Sequence, residues 1–241
     1  MLLDKVIAAH GGKELWAKAA SLSLDLKVKG NILATRLKSA KTRSLKVEIN
    51  TEKVQCILSP FPKIGEKGIF TSEYIQIEKD DGALIAKKSL KELFNGKTQL
   101  PLIWDDLHIL YFLGYAIWNY FMTPYFFSWP SFQTQEIGTW QEKNSSIWYK
   151  LAVDFPSYIP THCQKQIFYF NESGLLCRLD YTADIFGSFT RAAHYCWQHR
   201  EFEGLIFPTR RKVFWRLSNG HPLKLFGVME GWLDKVTVNW K

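Results

Sequence analysis

The sequence predicts a mainly β protein of the α+β class: a large curved antiparallel sheet with an N-terminal helix and a helical insert that lids or plugs it. Three observations lead to this fold class. Apolar and polar residues alternate with a period of two over most of the chain. Residues 2–20 have a helical period instead, and residues 89–129 contain the longest apolar stretch of the sequence. No Pro- or Gly-rich linker divides the chain, so a single domain, 1–241, is expected.

The N-terminal segment, residues 2–20, is predicted to be helical because Leu3, Val6 and Ile7 recur at helical spacing. The same spacing continues after Gly11-Gly12. Two adjacent glycines favour a break, so we expect two helical pieces in this segment.

The first half of the sheet is predicted within residues 21–88. Leu22, Leu24 and Leu26 alternate with polar residues, which is the pattern of a strand with one buried face. Similar runs follow along the chain, and Asp80-Asp81-Gly82 predicts a hairpin turn. The connections are too short for crossover helices, so an antiparallel meander is expected.

The helical insert, residues 89–129, departs from this alternation. Ser89 is suited to cap a short helix, and Leu107–Phe127 contains no Asp, Glu, Lys or Arg. Three structures fit this stretch: a membrane-spanning helix, a core helix, or a helix that covers a lipophilic cavity on the concave face of the sheet. We favour the last, which predicts ligand contacts from Tyr111, Phe112, Tyr115, Trp118, Phe121 and Met122.

The second half of the sheet is predicted within residues 135–240. Asn171-Glu172-Ser173-Gly174 is typical of a type I hairpin turn, with Asn171 paired to Leu175. Tyr169 and Leu179 are predicted as further ligand contacts, because continuing this register places one set of side chains on a common face: Ile167, Tyr169, Cys177, Leu179 and Tyr181.

Composition limits the class of protein. Apolar residues make up 46% of 241 residues, enough for a packed core, so disorder is excluded. The chain contains 10 Trp, 10 Tyr and 17 Phe, an aromatic content suited to filling a core or lining a cavity. Four widely spaced cysteines lack any C-x-x-C spacing and are expected to be reduced: Cys56, Cys163, Cys177 and Cys196.

The formal charge of +8 is concentrated in residues 27–53. No helix-turn-helix, zinc-finger or aromatic-basic RNA signature accompanies it, so nucleic acid is not expected as a partner. A basic sheet face would be attracted to an anionic membrane surface instead. The N-terminus lacks the basic and apolar regions of an export signal, so a cytoplasmic location is expected. The basic residues are Lys27, Lys29, Arg36, Lys38, Lys41, Arg43, Lys46 and Lys53.

Motifs for nucleophilic, zinc or nucleotide chemistry do not occur in the sequence: it has no G-x-S-x-G, H-E-x-x-H or G-x-x-x-x-G-K-[ST]. The remaining catalytic candidates are ionisable residues that would act as acid and base if one pocket united them: Asp180, His194, His162, Tyr181 and Arg210. Two alternatives stay open. One is an outer ladder of ion pairs formed by Arg178, Asp180, Arg210 and Arg211. The other is a metal site formed by His162, His194 and His199.

Three segments carry a resemblance to known proteins: AHGGKELW at 9–16, GLLCRLDY at 174–181 and GLIFPTRRKV at 204–213. They are similar to the motifs A-H-G-G-x-x-x-W, G-L-L-x-R-x-D-Y and G-x-x-x-P-T-R-R-x-V of an uncharacterised bacterial family. The order of elements resembles the LolA-like lipoprotein carriers, whose half-barrel holds an acyl chain beneath a helical lid. The resemblance implies an unclosed β-barrel.

These observations predict a carrier or binding protein that holds a lipid or another hydrophobic small molecule between the concave sheet and the helical insert. The alternative is an enzyme of the cyclase or isomerase type in the same cavity, with Asp180 or a histidine as proton donor. Neither hypothesis requires a cofactor or a metal ion.

Overall fold

One antiparallel sheet of thirteen strands dominates the chain in a computed structural model that describes residues 1–36, 42–97, 99–142 and 145–241. In the sheet the order is β6-β5-β4-β3-β2-β1-β13-β12-β11-β10-β9-β8-β7. The strands are β1 (Ala19–Gly30), β2 (Thr42–Asn50), β3 (Gln55–Ser59), β4 (Glu66–Thr71), β5 (Tyr74–Lys79), β6 (Leu84–Ser89), β7 (Gln133–Gln141), β8 (Ile147–Asp154), β9 (Lys165–Phe170), β10 (Leu176–Thr182), β11 (Arg191–Phe202), β12 (Leu205–Arg216) and β13 (Pro222–Trp240).

The two halves of the chain form the two arms of this sheet. They join where β1 pairs with β13, while β6 and β7 are its opposite edges and do not pair with each other in the part of the chain that the structure describes. The sheet is therefore unclosed. The alternation of the sequence predicts every strand except β4. One inward position of β4 is Gly68, because a Cβ there would lie only 2.6 Å from Cδ1 of Leu110. The alternating pattern therefore lacks one of its apolar side chains in this strand.

Two short helices, α1 (Leu2–Ala9) and α2 (Lys13–Trp16), precede the sheet. Gly11 and Gly12 separate them with φ values of 119° and 89°, as the glycine pair predicts. The helical prediction for residues 2–20 is wrong at its end, because Ala19 pairs with Trp240 and already belongs to β1.

The insert forms α3 (Leu90–Phe94) and α4 (Asp106–Met122). Ser89 caps α3 in a capping box with Glu92, as predicted. Asp105 caps α4, because its side chain accepts a hydrogen bond of 2.9 Å from the backbone N–H of His108. Within the described ranges, no helix is long and apolar enough to cross a membrane.

Helix α4 lies inside the curve of the sheet, mainly against β3, β4 and β5. All its residues except Asp106 and Tyr120 are buried. At Gly114 the helix approaches β4 so closely that a Cβ would overlap Phe70. Most of α4 is therefore core, and a cavity remains only where the helix stands over other strands.

Candidate functional site under the helical insert

An apolar cavity of about 80 Å³ lies between α4 and the strands where the two arms of the sheet meet. Its helix wall consists of Phe112, Leu113, Ala116, Ile117, Tyr120 and Phe121. Its sheet wall belongs mainly to β1, β12 and β13, and includes Leu26, Val28, Tyr181, His194, Arg211, Val213, Met229, Gly231 and Leu233. The cavity thus lies under the predicted cover, but it occupies only part of the concave face.

Gly231 leaves the space for this cavity in the sheet wall. It pairs with Val28 on one side and with Arg211 on the other. A Cβ built on Gly231 would have a single neighbouring atom within 4 Å, the Cβ of Arg211 at 3.7 Å. A larger side chain at this position would therefore enter the cavity without striking the backbone.

Four residues predicted for the site do line the cavity. Phe112 and Phe121 come from the predicted ligand contacts, and Tyr181 and His194 come from the catalytic candidates. An α-helix presents only one side to a given cavity, and here that side belongs to residues spaced at three and four positions.

Four other predicted contacts lie on different sides of α4: Tyr111, Tyr115, Trp118 and Met122 are buried but do not line the cavity. Trp118, for example, donates its indole N–H to the backbone oxygen of Asn50 at 3.0 Å. These four aromatic and thioether side chains are core residues, so their prediction as cavity contacts is wrong.

Tyr169 points to the convex face, against the prediction. Asn171 does pair with Leu175 through a backbone hydrogen bond of 3.0 Å, as the turn predicts. Cys177 is then an extra residue in β10, so that Tyr169 pairs with Arg178 instead of Cys177. Leu179 points inward as predicted and is buried, but it is not part of the cavity wall.

His162 is the centre of a buried hydrogen-bond network beside the cavity. Its Nδ1 lies 2.9 Å from the Tyr115 hydroxyl, and its Nε2 lies 2.7 Å from the Tyr120 hydroxyl. Tyr181 stacks on the imidazole at 3.8 Å, and its hydroxyl lies 3.3 Å from that of Tyr120. Burial lowers the pKa of His162 to about 3, so the ring is neutral and can donate one of these bonds and accept the other.

His194 differs from His162 because its ring nitrogens have no hydrogen-bond partner among the described residues. Its side chain is buried, and its ring meets the ring of Tyr120 edge to face at 4.7 Å. Burial, followed by the positive charge of Arg211, holds its pKa well below the usual range. The cavity wall thus contains a neutral imidazole with an unused donor and an unused acceptor.

Asp180 lies on the opposite, convex face of the sheet. Leu179 pairs with His194 and points inward, so the alternation of β10 turns Asp180 outward. There Arg178 donates to both carboxylate oxygens, at 2.6 and 2.8 Å, and Tyr169 donates to Oδ2 at 2.9 Å. The sheet separates Asp180 from the histidines, so its prediction as their acid or base partner is wrong.

The outer ion-pair alternative is right for Arg178 and Asp180, which Arg216 of β12 joins at 3.5 Å, but not for Arg210 and Arg211. Arg210 does point outward, yet it donates to Oε1 of Gln198 at 3.1 Å and is not in the histidine pocket. Arg211 points inward and lines the cavity. Sequence analysis considered Arg211 only for the outer ladder, although it stands two positions before Val213 and alternation alone would have assigned both to the inner face.

The metal-site alternative receives no support from the geometry. His199 lies beside His10, with ring centroids 6.3 Å apart, and not beside His162 and His194. Across the described ranges, no group of three or more His, Cys, Asp or Glu side chains is arranged to hold a metal ion.

The basic segment is less uniform than its sequence suggests. Lys27 forms an ion pair with Asp234 at 2.7 Å, and Arg36 is buried with its guanidinium donating to the backbone oxygen of Phe186 at 2.9 Å. Lys38 and Lys41 lie outside the described residues. Binding to an anionic membrane surface therefore stays a prediction.

Comparison with known proteins identifies the fold. No protein-family model matches this sequence, and no curated protein matches it. Among solved structures, a DUF1329 family protein from Desulfovibrio piger is similar over 99% of this chain and 92% of its own, with a TM-score of 0.57 and 11% identity. A LolA superfamily protein from Nitrosomonas europaea is similar over the same shares, with a TM-score of 0.54 and 10% identity.

The chain is therefore an unclosed antiparallel β-barrel with helices on its concave side. Its fold is that of LolA-like proteins, as the sequence motifs and the order of elements imply. At this level of identity the likeness concerns the fold alone, because one fold can host many different functions.

Proposed function

We propose that this protein binds a hydrophobic small molecule in the cavity between α4 and strands β1, β12 and β13. The observation that carries the proposal is the apolar void beside Gly231, at the junction of the two arms of the sheet. Such a void forfeits packing contacts, and filling it would stabilise the protein. The LolA superfamily relationship of a structural neighbour supports the same class of ligand.

The size of the cavity limits the ligand. Its volume of about 80 Å³ is well below the roughly 300 to 1,000 Å³ of usual small-molecule pockets. A slender group such as one unbranched alkyl chain is therefore the best candidate. A second void of about 20 Å³ shares the walls at Phe112, Tyr181, Val213 and Met229. The flexible thioether of Met229 allows the two voids to join around a longer chain.

The test is calorimetric titration with octan-1-ol, combined with native mass spectrometry of the protein as purified. We expect saturable octanol binding and a ligand-dependent rise in Tm, because a ligand that binds only the folded state stabilises it. Gly231→Leu should fill the cavity and weaken binding at least tenfold. A co-purified apolar adduct in the mass spectrum would identify the natural ligand.

The control is Lys29→Leu, which adds the same side chain to the outer face of the sheet. Lys29 is exposed and pairs with Glu230, one position from Gly231 on β13. Octanol affinity should be unchanged in this variant. If octanol does not bind the wild-type protein, or if Gly231→Leu binds it as well as wild type, the proposed function is wrong.

A further inference from the structure

His194 is an unpartnered polar group in an apolar wall. Its side chain is 1% exposed, it lines the cavity, and both of its ring nitrogens are without a hydrogen-bond partner among the described residues. Leaving a buried donor or acceptor unpaired is unfavourable, because the group loses its hydrogen bonds to water and gains none in return. The two nitrogens are therefore suited to a group that enters from outside the protein.

Arg211 adds a second unused donor to the same wall. Its Nη1 donates to the Cys196 sulfur at 3.1 Å and its Nη2 to the backbone oxygen of Tyr120 at 3.2 Å, but its buried Nε has no partner. No carboxylate among the described residues forms an ion pair with this guanidinium. Glu230, the acidic residue among those that line the cavity, pairs with Lys212 at 2.9 Å.

The two groups point to one region of the cavity. His194 pairs with Val213, and Cys196 pairs with Arg211, so His194 and Arg211 are diagonal neighbours on the inner face of β11 and β12. Tyr120 contacts both: its ring lies 4.7 Å from that of His194 and 5.0 Å from the guanidinium carbon of Arg211. Apolar residues line the same cavity, among them Leu26 and Leu233, and Gly231 lies beside Arg211 as its pairing partner on β13.

The charge of Arg211 makes an anion the best occupant. A cation beside an apolar cavity favours an occupant that brings an opposite charge to pair with it. Arg178, on the other face of the same sheet, is buried with a bidentate carboxylate partner, Asp180. Arg211 has no such partner from the described chain.

We infer that the ligand is an apolar carboxylic acid of the fatty-acid class, whose carboxylate is bound by Arg211 and His194 while its alkyl chain occupies the cavity. The inference deepens the proposed function and rests on it. Arg211 would supply the charge and Nε–H, and His194 would supply one N–H donor. Tyr120 and Tyr181 are further titratable groups in the cavity wall, and the Cys196 thiol lies against the Arg211 guanidinium.

The experiment compares octanoate with octan-1-ol and methyl octanoate by calorimetry at neutral pH. We expect octanoate to bind the wild-type protein at least tenfold more tightly than the two uncharged probes. Arg211→Met should abolish this preference while octanol still binds. The matched control is Arg210→Met, which removes the same charge from the adjacent residue on the outer face and should keep the preference.

A measurement on the wild-type protein alone keeps the inference testable if Arg211→Met does not fold. Octanoate labelled with a carbon isotope at its carboxyl group reports its own titration by NMR. Beside Arg211, the pKa of the bound carboxyl group should fall below that of free octanoate, whereas a carboxyl group placed in the apolar end would have a raised pKa.

The outcomes separate this inference from the proposed function. Equal binding of acid and alcohol, a raised carboxyl pKa, or an equal loss of preference in Arg210→Met would overturn the carboxylate site and leave apolar binding standing. No binding of any of the three probes would contradict both.

Discussion

Arg178 and Asp180 form a bidentate ion pair on the convex face of β10, with the inward-pointing Leu179 between them. The guanidinium of Arg178 is enclosed by aromatic rings of Trp140, Tyr169 and Tyr195 at 4.8 to 5.4 Å, and it also donates to the backbone oxygen of Gly220 at 2.5 Å. The G-L-L-x-R-x-D-Y motif therefore serves two faces. On the outer face, Arg178, held by Asp180, contacts Trp140 at the end of β7 and Gly220 in the β12–β13 turn. Tyr181, the last residue of the motif, lines the cavity on the inner face.

Asp180→Asn should destabilise the fold without changing ligand binding. The substitution leaves the buried Arg178 charge without its counter-charge, and breaking such a pair costs about 3 to 5 kcal/mol. Urea denaturation measures the loss in the free energy of unfolding. The control is Asp234→Asn, which breaks an ion pair with Lys27 that is half exposed on both sides and should cost less than about 1 kcal/mol. Equal effects of the two variants would contradict the buried-pair interpretation.

Gly114→Ala should destabilise the protein although alanine is the better helix former. A Cβ at position 114 would overlap Phe70, with the Cγ of that ring only 2.6 Å away. Overpacking of this kind costs about 1 to 3 kcal/mol, more than the ~1 kcal/mol gained in helix propensity. Gly231→Ala is the control, because its Cβ would meet a single atom, the Cβ of Arg211, at an ordinary contact distance of 3.7 Å and should leave the unfolding midpoint nearly unchanged. A stabilised Gly114→Ala variant would show that α4 and β4 are not in close contact.

Trp118→Phe should lower stability and leave octanol affinity within twofold of wild type. Trp118 lies outside the cavity, and its loss removes the hydrogen bond to the Asn50 backbone together with buried surface, about 1 to 3 kcal/mol in sum. Phe121→Leu, three residues further along α4, alters the cavity wall and should change the affinity. Thermal unfolding and calorimetry together measure the two effects. If Trp118→Phe changed the affinity more than Phe121→Leu, the assignment of the helix faces would be wrong.

Stability should fall as the pH is lowered below about 6.5. Burial lowers the pKa of His10 to about 4 and that of His162 to about 3, whereas both histidines titrate near 6.5 in the unfolded chain. Between about pH 6.5 and pH 4 the unfolded state therefore binds protons that the folded state does not bind. The free energy of unfolding is highest above pH 6.5 and falls as the pH is lowered toward 4. Each histidine contributes a slope approaching about 1.4 kcal/mol per pH unit.

Urea denaturation between about pH 8 and pH 5 measures this dependence. The contribution of His10 and His162 to the free energy of unfolding should be nearly constant above pH 7 and should decline below it. His162→Gln should reduce the slope of the decline. An unchanged slope in that variant would contradict the neutral, buried state of His162.

Local pattern was enough to predict every strand except β4, the antiparallel pairing of consecutive strands and the position of the helical insert. Alternation in segments such as Leu22–Val28 is decided by neighbouring residues, and so are the Ser89 cap and the Asn171–Gly174 turn. The resemblance of three motifs to a LolA-like group then led to the correct fold. Residue types at short separations contain this information because strand, turn and cap formation depend on them.

The site depended on features that no local pattern specifies. One extra residue at Cys177 shifts the pairing, so that Tyr169 faces outward although Leu179 faces inward. The burial of Arg178 requires Trp140 and Gly220, which are distant in sequence.

By itself, the sequence determined which segments of this protein are strands and which one crosses the interior, because period-two and helical spacing follow from local backbone geometry. Only the tertiary structure decided that Arg211 and His194 share a cavity beneath Tyr120 while Asp180 is excluded from it. The physical reason is that a single-residue shift in strand register exchanges the two faces of a sheet, and that register depends on packing across the whole fold.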